Sequence, residues 1–247
     1  MANVGKYLSL ARRLYPFVVN STELGFLLYP FILHRLKKRL YDIKDIRDVV
    51  NFTFSFKCLG ISILRPIQFK YEITTLLEMI SISQRKVILE IGSAGGGTLF
   101  IFTRMADPDA TIISIDLPRG PSGGGYPKWK KRLYKSFVKK GQRMHLIRAD
   151  SHDPKTLEKV EEVLNGEKID FLFIDGDHTY EGVKKDFEMY APYVNKGGII
   201  ALHDIVPYYP TRLEVSKFWN EIKHRYNYRE IVEDWNQILC GIGVLYT

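Results

Sequence analysis

Residues 86–98 read KVILEIGSAGGGT, an apolar run that ends in a glycine-rich turn. An apolar stretch bounded by glycines in this way predicts a buried strand, and the residues after it predict a helix over 97–106. Glycines at such a junction let the backbone adopt positive φ and pass close under a ligand, and the unpaired N–H groups of the helix N-terminus add donors there. Outward from this stretch, short β-branched runs alternate with amphipathic ones. Strands are predicted at KVILEIG (86–92), TIISIDL (111–117), RMHLIRA (143–149), IDFLFID (169–175) and GGIIALHD (197–204), with helices near 127–140, 154–165, 179–191 and 211–225. The strands are apolar on both faces, which predicts an α/β fold with a parallel sheet covered on both sides. Right-handed crossovers set all the carboxyl ends along one edge. YREIVED (228–234) and GIGVLYT (241–247) are separated by a short connection and predict an antiparallel hairpin closing the sheet.

Ligands of open α/β sheets bind outside the carboxyl ends of the strands. Here each of the five ends carries a carboxylate: Glu90 before Gly92-Ser93-Ala94-Gly95-Gly96, Asp116, Asp150 before Ser151 and His152, Asp175 and Asp177 before His178, and Asp204 after His203. One charged strand end is an ordinary solvated terminus, but five in one crevice point to a site. Asp116 stands 24 residues beyond Gly92, where a carboxylate can accept both hydroxyls of a ribose. That spacing indicates an adenosine-containing cofactor, and NAD and S-adenosylmethionine both satisfy it. Three features favour the second. Glu90 suits a cationic amine better than a pyrophosphate, Ala94 interrupts the glycines between Gly92 and Gly96, and a terminal hairpin follows the fifth strand.

With these elements in order, the chain from about residue 65 to its end resembles the class I S-adenosylmethionine-dependent methyltransferases. That implies a Rossmann-like sheet of order 3-2-1-4-5-7-6 with the last strand antiparallel. The segment FIDGDHTYEGVKKDFEMYAPYVNKGGIIALHDI (173–205) is similar to the branch containing macrocin O-methyltransferase and cephalosporin hydroxylase-like proteins, and more distantly to catechol O-methyltransferases. The resemblance implies that Glu90, Gly92, Ser93 and Gly96 hold the methionine part of the cofactor, Asp116 the ribose, and Asp150, Ser151 and His152 the adenine. It also implies a divalent metal, magnesium or manganese, at Asp175, His203 and Asp204. His203 brings nitrogen where the resemblance calls for oxygen. Such a set also suits iron or zinc, or makes His203 a base at a metal-free site. His178 falls where the catechol-type enzymes place a catalytic lysine and is the expected catalytic base, with Asp175 beside it. Asp177 either caps the following helix or orients His178.

The expected reaction is O-methylation of a sugar, glycolipid or other hydroxylated small molecule. A nucleic-acid methyltransferase and a non-catalytic S-adenosylmethionine-binding module are the alternatives. Amino-directed nucleic-acid enzymes usually carry an Asp/Asn-Pro-Pro-aromatic motif where this chain has DGDH, and no RNA- or DNA-binding module signature occurs. The net charge of +8 is uneven: residues 1–85 carry 13 Lys/Arg against 6 Asp/Glu, residues 118–143 carry 9 against none, and the rest is acidic. Residues 1–80 predict a helical N-terminal extension, and 81–247 the cofactor-binding domain. Within the extension, an apolar stretch (25–33) broken by Pro30 precedes HRLKKR. It predicts a helix packed on the domain, and the same pattern fits an interfacial anchor on a membrane or a homo-oligomer contact. In 118–143, Trp129, Leu133 and Phe137 predict a buried helix face with Lys128, Arg132, Lys135 and Lys139 outward; glycines 123–125 predict a loop that orders over the cofactor. No apolar run approaches the roughly 20 residues of a membrane span, and no cleavable leader is visible. A cytoplasmic protein, at the membrane surface if the extension anchors it, is the expectation. Cys58 and Cys240 have neither disulfide-framework nor zinc spacing and predict apolar fillers.

Overall fold

The computed structural model describes residues 19–64, 66–120, 125–207 and 213–247. Its centre is a seven-stranded sheet made of β1 (Val87–Ile91), β2 (Thr111–Ile115), β3 (Arg143–Ile147), β4 (Ile169–Ile174), β5 (Val194–His203), β6 (Asn227–Ile231) and β7 (Ile242–Tyr246). The strand order is β3-β2-β1-β4-β5-β7-β6, the order expected from the sequence. β1 to β5 are parallel, and β7 runs antiparallel to both β5 and β6.

Every residue of β1 and β2 is buried, because helices cover both faces. Alternation along each strand sends side chains to two separate cores. Ile88, Ile112, Phe171 and Phe173 enter one, with Phe102 packed edge-on to both phenylalanines at 5.2 Å. Leu89, Ile113, Leu172 and Ile200 enter the other. Burying one such side chain contributes about 1.5–3 kcal/mol.

The helices, in chain order, are α1 (Tyr29–Arg39), α2 (Ile46–Ser55), α3 (Lys70–Met79), α4 (Gly97–Met105), α5 (Lys130–Lys135), α6 (Pro154–Leu164), α7 (Tyr180–Tyr190) and α8 (Val215–Ile222). Residues of α1 to α5 join the first core and residues of α6 to α8 the second. Apolar residues of the N-terminal extension therefore share a core with the sheet: Phe52 on α2 meets Phe100 on α4 at 5.4 Å. The break expected at Pro30 is a change of helix type. A 3-10 helix (Glu23–Leu28) gives way to α1, and Pro30 sits in the first turn of α1, where a missing N–H costs nothing.

The helix expected over 127–140 is shorter, α5 alone, because it closes in tight turns from Ser136 to Leu133 and from Phe137 to Tyr134. Trp129, Leu133 and Phe137 are buried as the spacing predicts. The first residues of the helix expected over 211–225, and Gly123 and Gly124 of the expected covering loop, lie outside the described residues. Among the described residues no helix is long and apolar enough to cross a membrane.

Candidate active site

The carboxyl ends of the parallel strands surround a cavity of about 500 Å³, within the range of small-molecule and cofactor sites. Gly92 and Ala94 line it after β1, Asp116 after β2, Asp150, Ser151 and His152 after β3, Asp175 to His178 after β4, and His203 and Asp204 at the end of β5. Ile67, Leu117 and Leu239 add apolar wall. Five aspartates and no lysine or arginine stand among the described lining residues. Such a wall favours a cationic ligand over a pyrophosphate.

Three of the expected cofactor residues lie beneath the turn instead of on the wall. Glu90 is fully buried, and the Ser93 hydroxyl donates to its Oε2 and shares a 2.7 Å hydrogen bond with Ser114. Burial raises the Glu90 carboxyl to about 8, beyond what its Ser93 and Thr98 hydrogen bonds can offset. Burial thus favours the neutral form of Glu90, whose Oε2 accepts from Ser93 within the turn. Gly92 has φ +93°, and a Cβ there would lie 1.9 Å from the Asp175 carbonyl oxygen. Gly96, at φ +81°, leaves room for the Tyr134 ring, which a Cβ would meet at 2.4 Å. Protein neighbours demand these two glycines before any ligand does.

A signed pH effect follows for Glu90. Its folded pKa lies above the unfolded value of 4.5, so the stability it allows is complete below that value and is lost as pH rises through about 8. Glu90→Gln, measured by thermal melting from acid to mildly alkaline pH, is expected to flatten that decline; a decline of unchanged size would remove Glu90 as its source.

Asp116 is 3% exposed, and its Oδ2 accepts from the Ala94 N–H at 2.6 Å. Its Oδ1 is buried with no partner. Burial raises its carboxyl to about 6, against the pull of the Ala94 hydrogen bond and the Arg148 charge. A carboxylate fixed at one oxygen and orphaned at the other, on the cavity wall, is an acceptor waiting for a hydroxyl.

At the far end of the cavity two histidines and two aspartates interlock. His178 Nδ1 lies 2.9 Å from Asp204 Oδ2, and His203 Nδ1 lies 3.0 Å from Asp175 Oδ1 and 3.4 Å from Asp204 Oδ1. Gln68 Nε2 donates to the other Asp175 oxygen at 2.7 Å, and the Cys240 N–H donates to Asp204 at 3.0 Å. Burial alone would lower the His203 pKa, but the Asp175 and Asp204 charges raise it well above the ordinary value. His203 is therefore buried between two carboxylates that favour its charged form. Burial likewise opposes the charge on His178, and the Asp204 hydrogen bond and the Asp175 charge raise its pKa. Burial would raise Asp204, but the charge of His203 and the hydrogen bond to His178 hold it down at about 2. Asp204 has φ +64°, a strained value for a non-glycine residue that recurs at functional sites.

Two of the three residues expected at a metal, Asp175 and Asp204, group with His178. Asp175, His178 and Asp204 each present a ligand atom within 4.8 Å of the others. His203 is committed to its two carboxylates by Nδ1, and it groups separately with the buried Glu72 and Cys240. Thr179, not Asp177, caps α7; Asp177 Oδ1 accepts from the Thr179 N–H at 2.9 Å just ahead of the helix, and Asp204 is the carboxylate bonded to His178. His152, expected at the adenine, turns its Nε2 to the Gly182 carbonyl (3.1 Å) and the buried Asp186 (3.2 Å), so its ring is held against α7.

Residues 89–205 match the family described as a methyltransferase domain. The match covers just under half of this chain. An uncharacterised protein of Acanthamoeba polyphaga mimivirus is 36% identical over 123 residues, covering 49% of this chain and 52% of that protein. The chain thus spans about half the length of the curated relative it matches. Among solved structures, the fold is similar to an O-methyltransferase from Bacillus cereus in complex with SAH, with TM-score 0.55, 16% identity, and coverage of 85% of this chain and 94% of that one. It is also similar to the O-methyltransferase TomG from Streptomyces achromogenes, involved in tomaymycin synthesis and in complex with SAM, with TM-score 0.50, 16% identity, and coverage of 86% and 95%. At these identities the likeness is one of fold.

The fold also holds residues that the sequence did not mark. Gln68 comes from the extension side, ahead of α3. Glu72, on α3, is fully buried and accepts from the Gly241 N–H at 3.1 Å and from Gln237 at 2.7 Å. Lys130 belongs to the segment in which Lys128, Arg132, Lys135 and Lys139 were expected outside, and it is 2% exposed. Burial lowers its pKa to about 8. It lines a second cavity of about 200 Å³ with Asn20, Ser21, Ser62 and the turn residues Ala94 and Gly95; Ala94 lines the main cavity too. Among the described residues the Lys130 ammonium has no hydrogen-bond or ion-pair partner, though the Asp116 charge acts on it, and it lies 5.9 Å from the Trp129 ring centre. Asn20 Oδ1 is likewise buried without a partner.

Proposed function

We propose that this chain moves a methyl group from S-adenosylmethionine to a hydroxyl oxygen of a small molecule, a sugar, glycolipid or other hydroxylated metabolite. The observation that carries the reading is a cavity wall of five aspartates and no lysine or arginine among its described residues, with His178 hydrogen-bonded to Asp204 beside it. The fold likeness to O-methyltransferases supports oxygen as the acceptor atom.

S-adenosylmethionine supplies a methyl carbon activated by a cationic sulfur. The chain's own residues do the rest. With Nδ1 bound to Asp204, His178 keeps Nε2 for the acceptor hydroxyl. As the new oxygen–carbon bond forms and the carbon–sulfur bond breaks, the hydroxyl proton passes to that nitrogen. Asp204 stabilises the imidazolium that results. Asp116 Oδ1 is the acceptor for the ribose hydroxyls. Asp175 and Asp204, with His178 as a ligand in place of its proton-acceptor role, fit a divalent metal by donor type and spacing. Held there, it would lower the pKa of a coordinated hydroxyl.

Lys130 and Asn20 complete the reading. An unpaired ammonium and an unpaired carbonyl oxygen in one small cavity complement the carboxylate and amine of an amino acid, and the hydroxyls of Ser21 and Ser62 line the same space. The Lys130→Met variant is expected to weaken S-adenosylmethionine binding by roughly 10- to 100-fold, while affinity for methylthioadenosine, which lacks the amino-acid end, stays unchanged. Titration calorimetry with both ligands, and with NAD, tests the whole assignment. Tight NAD binding with none of S-adenosylmethionine would sink it.

A further inference from the structure

The two basic stretches noted in the sequence, far apart along the chain, meet on one face. Glu23 accepts from the N–H groups of Lys128 (2.6 Å) and Trp129 (3.2 Å), and the Trp129 indole donates to the Thr22 carbonyl at 3.0 Å. The Arg132 guanidinium lies 5.5 Å over the Phe26 ring. Gly25 lets this contact form, because a Cβ there would stand 2.7 Å from the Trp129 indole nitrogen.

The joined face leaves four large apolar side chains in water. Leu24 is 64% exposed, Phe26 44%, Leu27 72% and Phe31 64%. Around them stand exposed His34, Arg35, Lys37 and Lys38 from one stretch and Lys128, Arg132 and Lys135 from the other. On α1, Phe31, Arg35 and Lys38 follow helical spacing along the solvent side, away from the buried Ile32 and Leu36. Among the described residues, Arg35, Lys37, Lys38 and Lys128 form no ion pair with a carboxylate. Clustered exposed apolar side chains on a soluble domain mark a contact surface, since their hydration is unfavourable unless something covers them.

We propose that this composite face docks on an anionic membrane surface, with Leu24, Phe26, Leu27 and Phe31 entering the headgroup boundary and the surrounding lysines and arginines on anionic headgroups. Charge complementarity selects the partner. The rim alone would suit any polyanion, but a nucleic acid offers phosphates and no apolar phase for Leu24 and Leu27. An amphipathic element that combines apolar insertion with basic flanks is the form that interfacial binding takes. The proposal does not depend on the methyltransferase chemistry.

Flotation of the full chain with vesicles tests it. The protein is expected to float with phosphatidylcholine vesicles containing about 30% phosphatidylglycerol, to stay behind with phosphatidylcholine alone, and to be released by about 0.5 M NaCl. The double variant Leu27→Asp/Phe31→Asp is expected to lower the partition coefficient by at least ~10-fold. Arg35→Glu/Lys38→Glu is expected to lower it by at least ~20-fold. Both pairs are exposed, so thermal melting and S-adenosylmethionine binding are expected to match the wild type. Equal flotation with neutral vesicles, wild-type flotation by either variant, or no flotation with anionic vesicles would each overturn the proposal, the last whether or not the protein then binds RNA.

Discussion

His178→Ala is expected to slow methyl transfer by about 10²- to 10⁴-fold, the range a positioned general base contributes. S-adenosylmethionine affinity is expected to stay within about threefold, because the substitution removes the proton acceptor and none of the groups assigned to the donor. The expectation rests on geometry: His178 lines the cavity, and Asp204 holds it at 2.9 Å through Nδ1, which leaves Nε2 for the acceptor. Asp204→Asn should retain the ring but loosen its tautomer and orientation, giving a smaller loss of rate. A methyl-labelled donor, first screened against extracts to find an acceptor and then used in single turnovers, reads both effects. Unchanged turnover in His178→Ala would remove the base assignment. A parallel collapse of donor binding would make His178 a structural residue of the cofactor cavity instead.

The second large effect concerns Asp116. Replacement by Asn is expected to weaken S-adenosylmethionine binding by at least ~100-fold, since a carboxylate accepting two hydroxyls makes two charge-assisted hydrogen bonds. Its pH dependence has a definite sign. In the free protein burial raises the Asp116 carboxyl from 3.8 to about 6. The stability of the free fold linked to this group is therefore complete below the lower value and declines as pH rises through about 6. Donated hydroxyls favour the ionised form, so binding lowers this pKa. Affinity should accordingly improve as pH rises through about 6 and then level off, with a proton released on binding below that pH. Calorimetry in two buffers of different ionisation enthalpy measures that proton, and Asp116→Asn should abolish its release. Binding that is flat from pH 5 to pH 8 in the wild type would show that the carboxylate does not carry the ribose contact.

Much of this site was legible along the chain because it is built from strand ends. A buried strand is an uninterrupted apolar run, and the residue at which the run stops is the one delivered to the crevice. Asp116, Asp150, Asp175 and Asp204 could be located in that way, and the cavity lines all four. The roles of individual side chains were less legible. His178 follows β4 and His203 ends β5, and both line the cavity, yet His178 is partly exposed and His203 is 2% exposed between two carboxylates. Glu90 invites a charge-pairing role by position, but it is completely buried, which favours its neutral form, and it accepts from the Ser93 hydroxyl.

The sequence by itself determined the order and type of the strands, the turn at Gly92 to Gly96 and the row of acids at the sheet's edge, because periodicity, glycine content and chain breaks are local properties. Only the tertiary structure decided which residues finish the site. Gln68 reaches Asp175 across 107 residues, Gln237 reaches Glu72 across 165, and Glu23 draws the second basic stretch onto the first across 105. Such partners carry no local pattern. They are selected by which polar atoms packing leaves without water, and that is settled when helices close over the sheet.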